Sequence, residues 1–279
     1  MTGGILSRLA RVQFTVGYVA VLLAVSCALL MLSPHAHDVL VQRASTNVDN
    51  LTHGHLGTLL GSAAVVVDSG PLYFWLPFLA CLLALAELHL RTIRLVVAFF
   101  VGHIGATLVV AAALAAAIEV GWMPLSVARA SDVGMSYGAL AALGAMTAAM
   151  PRRWRPAWIG WWVAAGLASA VIGADFTDAG HTVAMILGVL VSTRFRQPIH
   201  WTPVRLVMLA ASSGFGFLVL AHHWGTMAAA PVCGALGAFV AYKIARYGRS
   251  AFAESDLRAG FRRFSRPEST FDGCRATTR

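Results

Sequence analysis

Long apolar blocks alternate with short polar or basic stretches along the whole chain. They cover about 12–33, 51–67, 71–89, 95–118, 133–150, 157–173, 178–193, 204–221 and 226–243. Blocks this long and this free of charge predict membrane-spanning helices. Basic clusters orient them, because Lys and Arg favour the cytoplasmic side. These clusters are Arg8/Arg11, Arg91/Arg94, Arg152/Arg153/Arg155, Arg194/Arg196 and the run from Lys243 through Arg266. Neighbouring clusters must therefore be separated by an even number of crossings. Three blocks lie between Arg11 and Arg91, so one of them does not cross. The block at 51–67 is the choice: it carries Thr52, His53, His55, Thr58, Ser62 and three glycines, and ends at Asp68-Ser69-Gly70-Pro71. It is expected to dip into the outer leaflet, lie at the interface, or form the bent outer end of the next helix. Eight spans remain in an all-α, polytopic membrane bundle. The expected location is the cell membrane, multi-pass, with both termini cytoplasmic.

Composition supports this. Hydrophobic residues make up 58% of the chain and charged residues 12%, against about a quarter charged in soluble domains. The mean hydropathy is +0.72. The formal charge of +9 lies in short Arg runs between apolar blocks and in the C-terminal tail. That distribution is one of orientation signals and argues against nucleic-acid binding. Cys27, Cys81 and Cys233 fall inside apolar blocks and Cys274 in the tail, with no spacing that suggests a disulfide framework or a metal site. The first block is too long for a typical signal-peptide core and lacks a clear cleavage site before Pro34, so it reads as a retained span. The tail from Ser250 to Arg279 is expected to be disordered or to lie on anionic headgroups, with a basic surface helix over Arg246 to Arg263 as the alternative.

Two blocks open alike. Asp132-Val133-Gly134-Met135-Ser136-Tyr137 starts one, and Asp178-Ala179-Gly180-His181 starts another. In the eight-span topology both descend from the outside. Ser136 then lies roughly 6 Å below Asp132, and His181 roughly 5 Å below Asp178, at ~1.5 Å per residue. An alcohol and an imidazole thus share one depth in the outer leaflet. Serine needs a base within reach and donors for the oxyanion formed on attack. A lone intramembrane Ser more often bonds a backbone carbonyl. An ionisable His within a span says more, because it faces a bundle interior or a wet cavity. Gly134, Gly138, Ala141, Ala142, Gly144 and Ala145 make the first of these segments narrow, as suits the centre of a bundle.

The order of features resembles the rhomboid intramembrane proteases. Gly134-Met135-Ser136 sits on the fourth expected span, in the place of the family's GxSG, and His181 on the sixth, with Gly188 seven residues later. His53-Gly54-His55-Leu56-Gly57-Thr58-Leu59 sits where the family's HxxxN element is expected, and Glu87 stands in the place of a family acid. Tyr137 replaces the Gly after the serine, Ala184 a Gly after the histidine, and Leu59 the Asn that supports the oxyanion. No WR pair occurs at 34–50. The resemblance implies a rhomboid-like six-helix core over residues 1–199; two additional transmembrane helices over 200–245 and a basic cytoplasmic tail over 246–279 lie outside it. It also implies a Ser136–His181 dyad, with His55 and Gly134 supporting the oxyanion and no cofactor or metal. The partners implied are the lipid bilayer and transmembrane proteins, either as substrates or as clients of a catalytically inactive scaffold. Both readings stay open.

The other polar residues have plainer readings. His103 is a helix-packing hydrogen bonder. Asp175 and Asp178 lie in a short outer turn and are expected to be solvated, though either could orient His181. Trp154, Trp158, Trp161 and Trp162 form an interfacial belt, and His222 and His223 are solvated loop residues. A haem or metal site from His55, His103 and His181 would need them to converge on one ion.

Overall fold

Inside a bilayer only bonds within the chain can satisfy the backbone of such apolar blocks, and helices supply them locally. The computed structural model describes residues 10–66, 72–195 and 201–264, and every regular element among them is helical. Helix α1 is Gln13–Leu30. The long loop after it carries α2 (Pro34–Ala44), α3 (Val48–Thr52), α4 (Thr58–Gly61) and a 3₁₀ turn, Ser62–Ala64. Then follow α5 (Leu72–Leu90), α6 (Thr92–Glu119), α7 (Ser136–Ala145), α8 (Arg155–Gly173), α9 (Phe176–Ser192), α10 (Pro203–Leu220) and α11 (Trp224–Phe264).

Helices α1, α6, α8, α10 and the stretch Trp224–Gly248 of α11 are long and apolar enough to cross a membrane, while α5 from Phe74 and α9 are shorter apolar helices. The bundle is therefore polytopic and helical. Residues 51–66 form short helical pieces and no span; the turn at 68–71, Arg8 and Arg196 lie outside the described residues. Helix α11 continues to Phe264, so the chain beyond Ser250 is helical that far, which favours a helix over the disordered tail.

Helix α7 is the axis of the bundle: every residue from Tyr137 to Ala145 is buried. Small residues put it there. A Cβ on Gly188 of α9 would run into the Ala141 backbone, one on Gly144 into the Met185 carbonyl, and one on Gly102 of α6 into the Ala141 side chain. Helices α6, α7 and α9 thus touch backbone to backbone, the packing that glycine permits in membranes. Helix α11 lies along α8, where Gly160 meets Gly237, and α10 lies against α5.

Glu87 closes the opposite end of α1. It is 2% exposed. Its carboxylate accepts from the Phe14 and Thr15 N–H groups, both at 2.9 Å, and from the Thr15 and Thr92 hydroxyls, both at 2.7 Å. The first N–H groups of a helix have no partner of their own and attract negative charge, so one acid answers the start of the first helix.

Candidate active site

Two turns deliver the site. Gly134 sits at φ +135°, a backbone region that side chains avoid, and its N–H donates to the Ser62 carbonyl at 2.9 Å. Thr46 N–H donates to the Asp132 carbonyl at 3.0 Å, and Asp132 N–H to Ser45 Oγ at 2.7 Å. The loop after α1 is thereby stitched to the entry of α7, and Ser136 emerges as that helix's first residue. On the other side, Asp175 caps α9 by accepting from Thr177 N–H at 3.1 Å, which places His181 in the second turn.

His181 Nε2 lies 2.9 Å from Ser136 Oγ. The imidazole is 5% exposed, and the serine is half-buried. Behind the ring, Asp178 Oδ1 stands 3.9 Å from His181 Nδ1. Tyr137, the bulky residue after the serine, stands edge-on to the His181 ring with centroids 5.3 Å apart. Its hydroxyl fills the space that a Cβ on Gly180 would need. Gly180, one residue before the histidine, is what lets a tyrosine fit beside it.

The other expected site residues lie elsewhere. His55 is exposed, with Nδ1 3.3 Å from Asn50 Oδ1 and not at Ser136. The Gly134 N–H is engaged by Ser62, and Leu59 lies half-buried in α4. His103 Nε2 lies 3.1 Å from Ser62 Oγ, which accepts from the Thr46 hydroxyl at 2.9 Å. The three histidines therefore occupy three separate places, and among the described residues no three metal-ligating side chains converge.

Two residues depart from the sequence reading. Asp178 is not solvated: it is wholly buried, because Gly173 at the end of α8 leaves the space its carboxylate occupies. His222 is not only a loop residue, since its Nδ1 lies 3.6 Å from Asp178 Oδ1. The i, i+3 spacing of Asp178 and His181 is visible in the sequence. Nothing in the spacing marks His222.

Asp132 gives the edge of the site a pH dependence. Burial pushes its carboxyl from an ordinary 3.8 up to about 6; the Tyr137 hydroxyl opposes this more weakly, and Asp175 adds to it. Between the two values the folded chain holds a proton that the unfolded chain has lost, so stability falls as pH rises from about 4 through about 6. Asp132→Asn removes that slope. Thermal melts in detergent should give the variant a higher Tm than wild type at pH 7.5 and an equal one at pH 4. Equal values at both would contradict the burial argument.

A model of the rhomboid-like protein family matches residues 9–197. The chain belongs to that family. No curated protein and no solved structure matches it. The matched stretch of this rhomboid-like protein contains Ser136, His181 and Asp178; the turn that carries His222 lies beyond it.

Proposed function

We propose that this rhomboid-like membrane protein is an intramembrane serine endopeptidase that cleaves transmembrane proteins near their outer-leaflet ends. The observation that carries the reading is the 2.9 Å approach of His181 Nε2 to Ser136 Oγ, between residues 45 apart in sequence. In the proposed reaction the Ser136 hydroxyl proton passes to His181 Nε2 while Oγ bonds to the scissile carbonyl carbon. The carbon–nitrogen bond then breaks, and the same proton goes to the departing amine. Water repeats the sequence on the acyl-enzyme: it gives a proton to His181 and attacks the carbonyl, the ester carbon–oxygen bond breaks, and His181 returns that proton to Ser136 Oγ. The oxyanion would face the first N–H groups of α7, which lack intrahelical acceptors and sit at the positive end of the helix.

A second reading has its own support. The Tyr137 ring stands against His181, His55 points away and the Gly134 N–H is occupied. Losing one oxyanion donor typically costs about 10²–10³ in rate. These features suit a catalytically inactive rhomboid-like scaffold that holds membrane clients.

A fluorophosphonate probe separates the two. Labelling of wild type at Ser136, lost in Ser136→Ala and in His181→Ala, is the result expected of the protease. A wild type that stays unlabelled, with its fold intact, leaves the scaffold.

A further inference from the structure

The acid behind His181 belongs to a cluster that reaches past the family-matched residues. Asp178 has no exposed surface, and neither of its carboxylate oxygens closes a hydrogen bond among the described residues. An isolated buried carboxylate is among the costliest groups a fold can hold. Its surroundings answer it in three ways. Gly173 has no side chain where Asp178 Oδ2 sits. His181 Nδ1, itself buried and unpartnered, stands 3.9 Å from Oδ1. His222 Nδ1 stands 3.6 Å from the same oxygen, on a side chain that is 40% exposed. It comes from the turn between α10 and α11, where the His222 and His223 rings lie 4.1 Å apart.

A carboxylate only accepts hydrogen bonds. A nitrogen facing it is therefore favoured as N–H, and a neutral imidazole with its proton on Nδ1 presents a bare Nε2. We infer that Asp178 sets the tautomer of His181 so that Nε2 faces Ser136 as a base, and that His222, facing the same oxygen, steadies the Asp178 carboxylate from the outer turn. The last helical hairpin is then a working part of the site. The inference rests on reading Ser136 and His181 as a reacting pair. Asp178 and His222 are positioning residues: they act through His181 and touch no reacting atom.

Nitrogen NMR of the full-length chain in lipid nanodiscs, with isotope-labelled histidine, reads the tautomer without any substrate. The His181 signal is assigned by its loss in His181→Gln. In wild type the proton is expected on Nδ1. Asp178→Asn keeps the size and removes the charge; it should move the proton to Nε2 or mix the two forms, and slow Ser136 labelling about 10²–10⁴-fold. His222→Gln changes an exposed side chain and should move the same signal the same way, with labelling about fivefold slower, the scale of one hydrogen-bonding contact. If Asp178→Asn does not fold, His222→Gln decides alone. A wild-type His181 protonated on Nε2, or a tautomer that the variants leave unmoved, overturns the inference. A wild type protonated on Nδ1 whose Ser136 stays unlabelled keeps the inference and removes the protease reading instead.

Discussion

Cleavage of a helical transmembrane reporter is expected to fall about 10⁴-fold or more, to background, in both Ser136→Ala and His181→Ala. In the proposed reaction Ser136 supplies the oxygen that bonds the carbonyl carbon, and His181 the nitrogen that holds the proton meanwhile. Neither step proceeds usefully alone, so the effects should not add. The double variant should be no slower than either single one, as is usual when two groups act as a unit. Reporter assays in proteoliposomes, with protein amount matched and folding checked by thermal melts, supply the measurement. Activity surviving in either single variant would remove the pair from the chemistry. The same assay bears on Tyr137, whose ring stands against His181. If wild type does not cleave at all, that packed ring is the first feature to suspect.

Gly188→Ala is expected to produce the largest loss of stability of any one-carbon change in the bundle. The added carbon would meet the carbonyl, C and Cα of Ala141, and backbone cannot swing aside as a side chain can. Overpacking costs typically run to about 3 kcal/mol, and a contact with fixed backbone belongs at the upper end. Gly214 in α10 is the control, because a Cβ there meets nothing within 4 Å. Gly214→Ala should hold or slightly raise stability, since glycine inside a helix costs about 0.5–1 kcal/mol relative to alanine. Thermal melts of the two variants against wild type decide it. Equal Tm values for all three would mean that α7 and α9 are not in backbone contact.

Much of this was legible in the sequence. Apolar block length and the placing of arginines marked out the helices and singled out residues 51–67 as a stretch that does not cross. The glycines and alanines between Gly134 and Ala145 pointed to a narrow helix at the centre, where α7 lies. Matching offsets from Asp132 and Asp178 put Ser136 and His181 at one depth. What stayed hidden depends on side-chain direction, which spacing does not encode. Asp178 reads as solvated because it opens a helix at an outer turn; it is buried because Gly173, on the preceding helix, makes room for it. His222 is separated from Asp178 by a whole helix, α10, so no periodicity links them. His55 matched a family position in sequence, yet its ring turns outward to Asn50.

Glu87 has a bearing on how the chain is made. It lies 73 residues beyond Phe14, whose N–H it accepts. At roughly 5–20 residues per second, the ribosome reaches it seconds after the first helix has been synthesised. Until then the leading turn of that helix has no acid to meet its donors. The first segment can enter the lipid before Glu87 exists, and its leading turn meets its acid only once the fifth helix has followed.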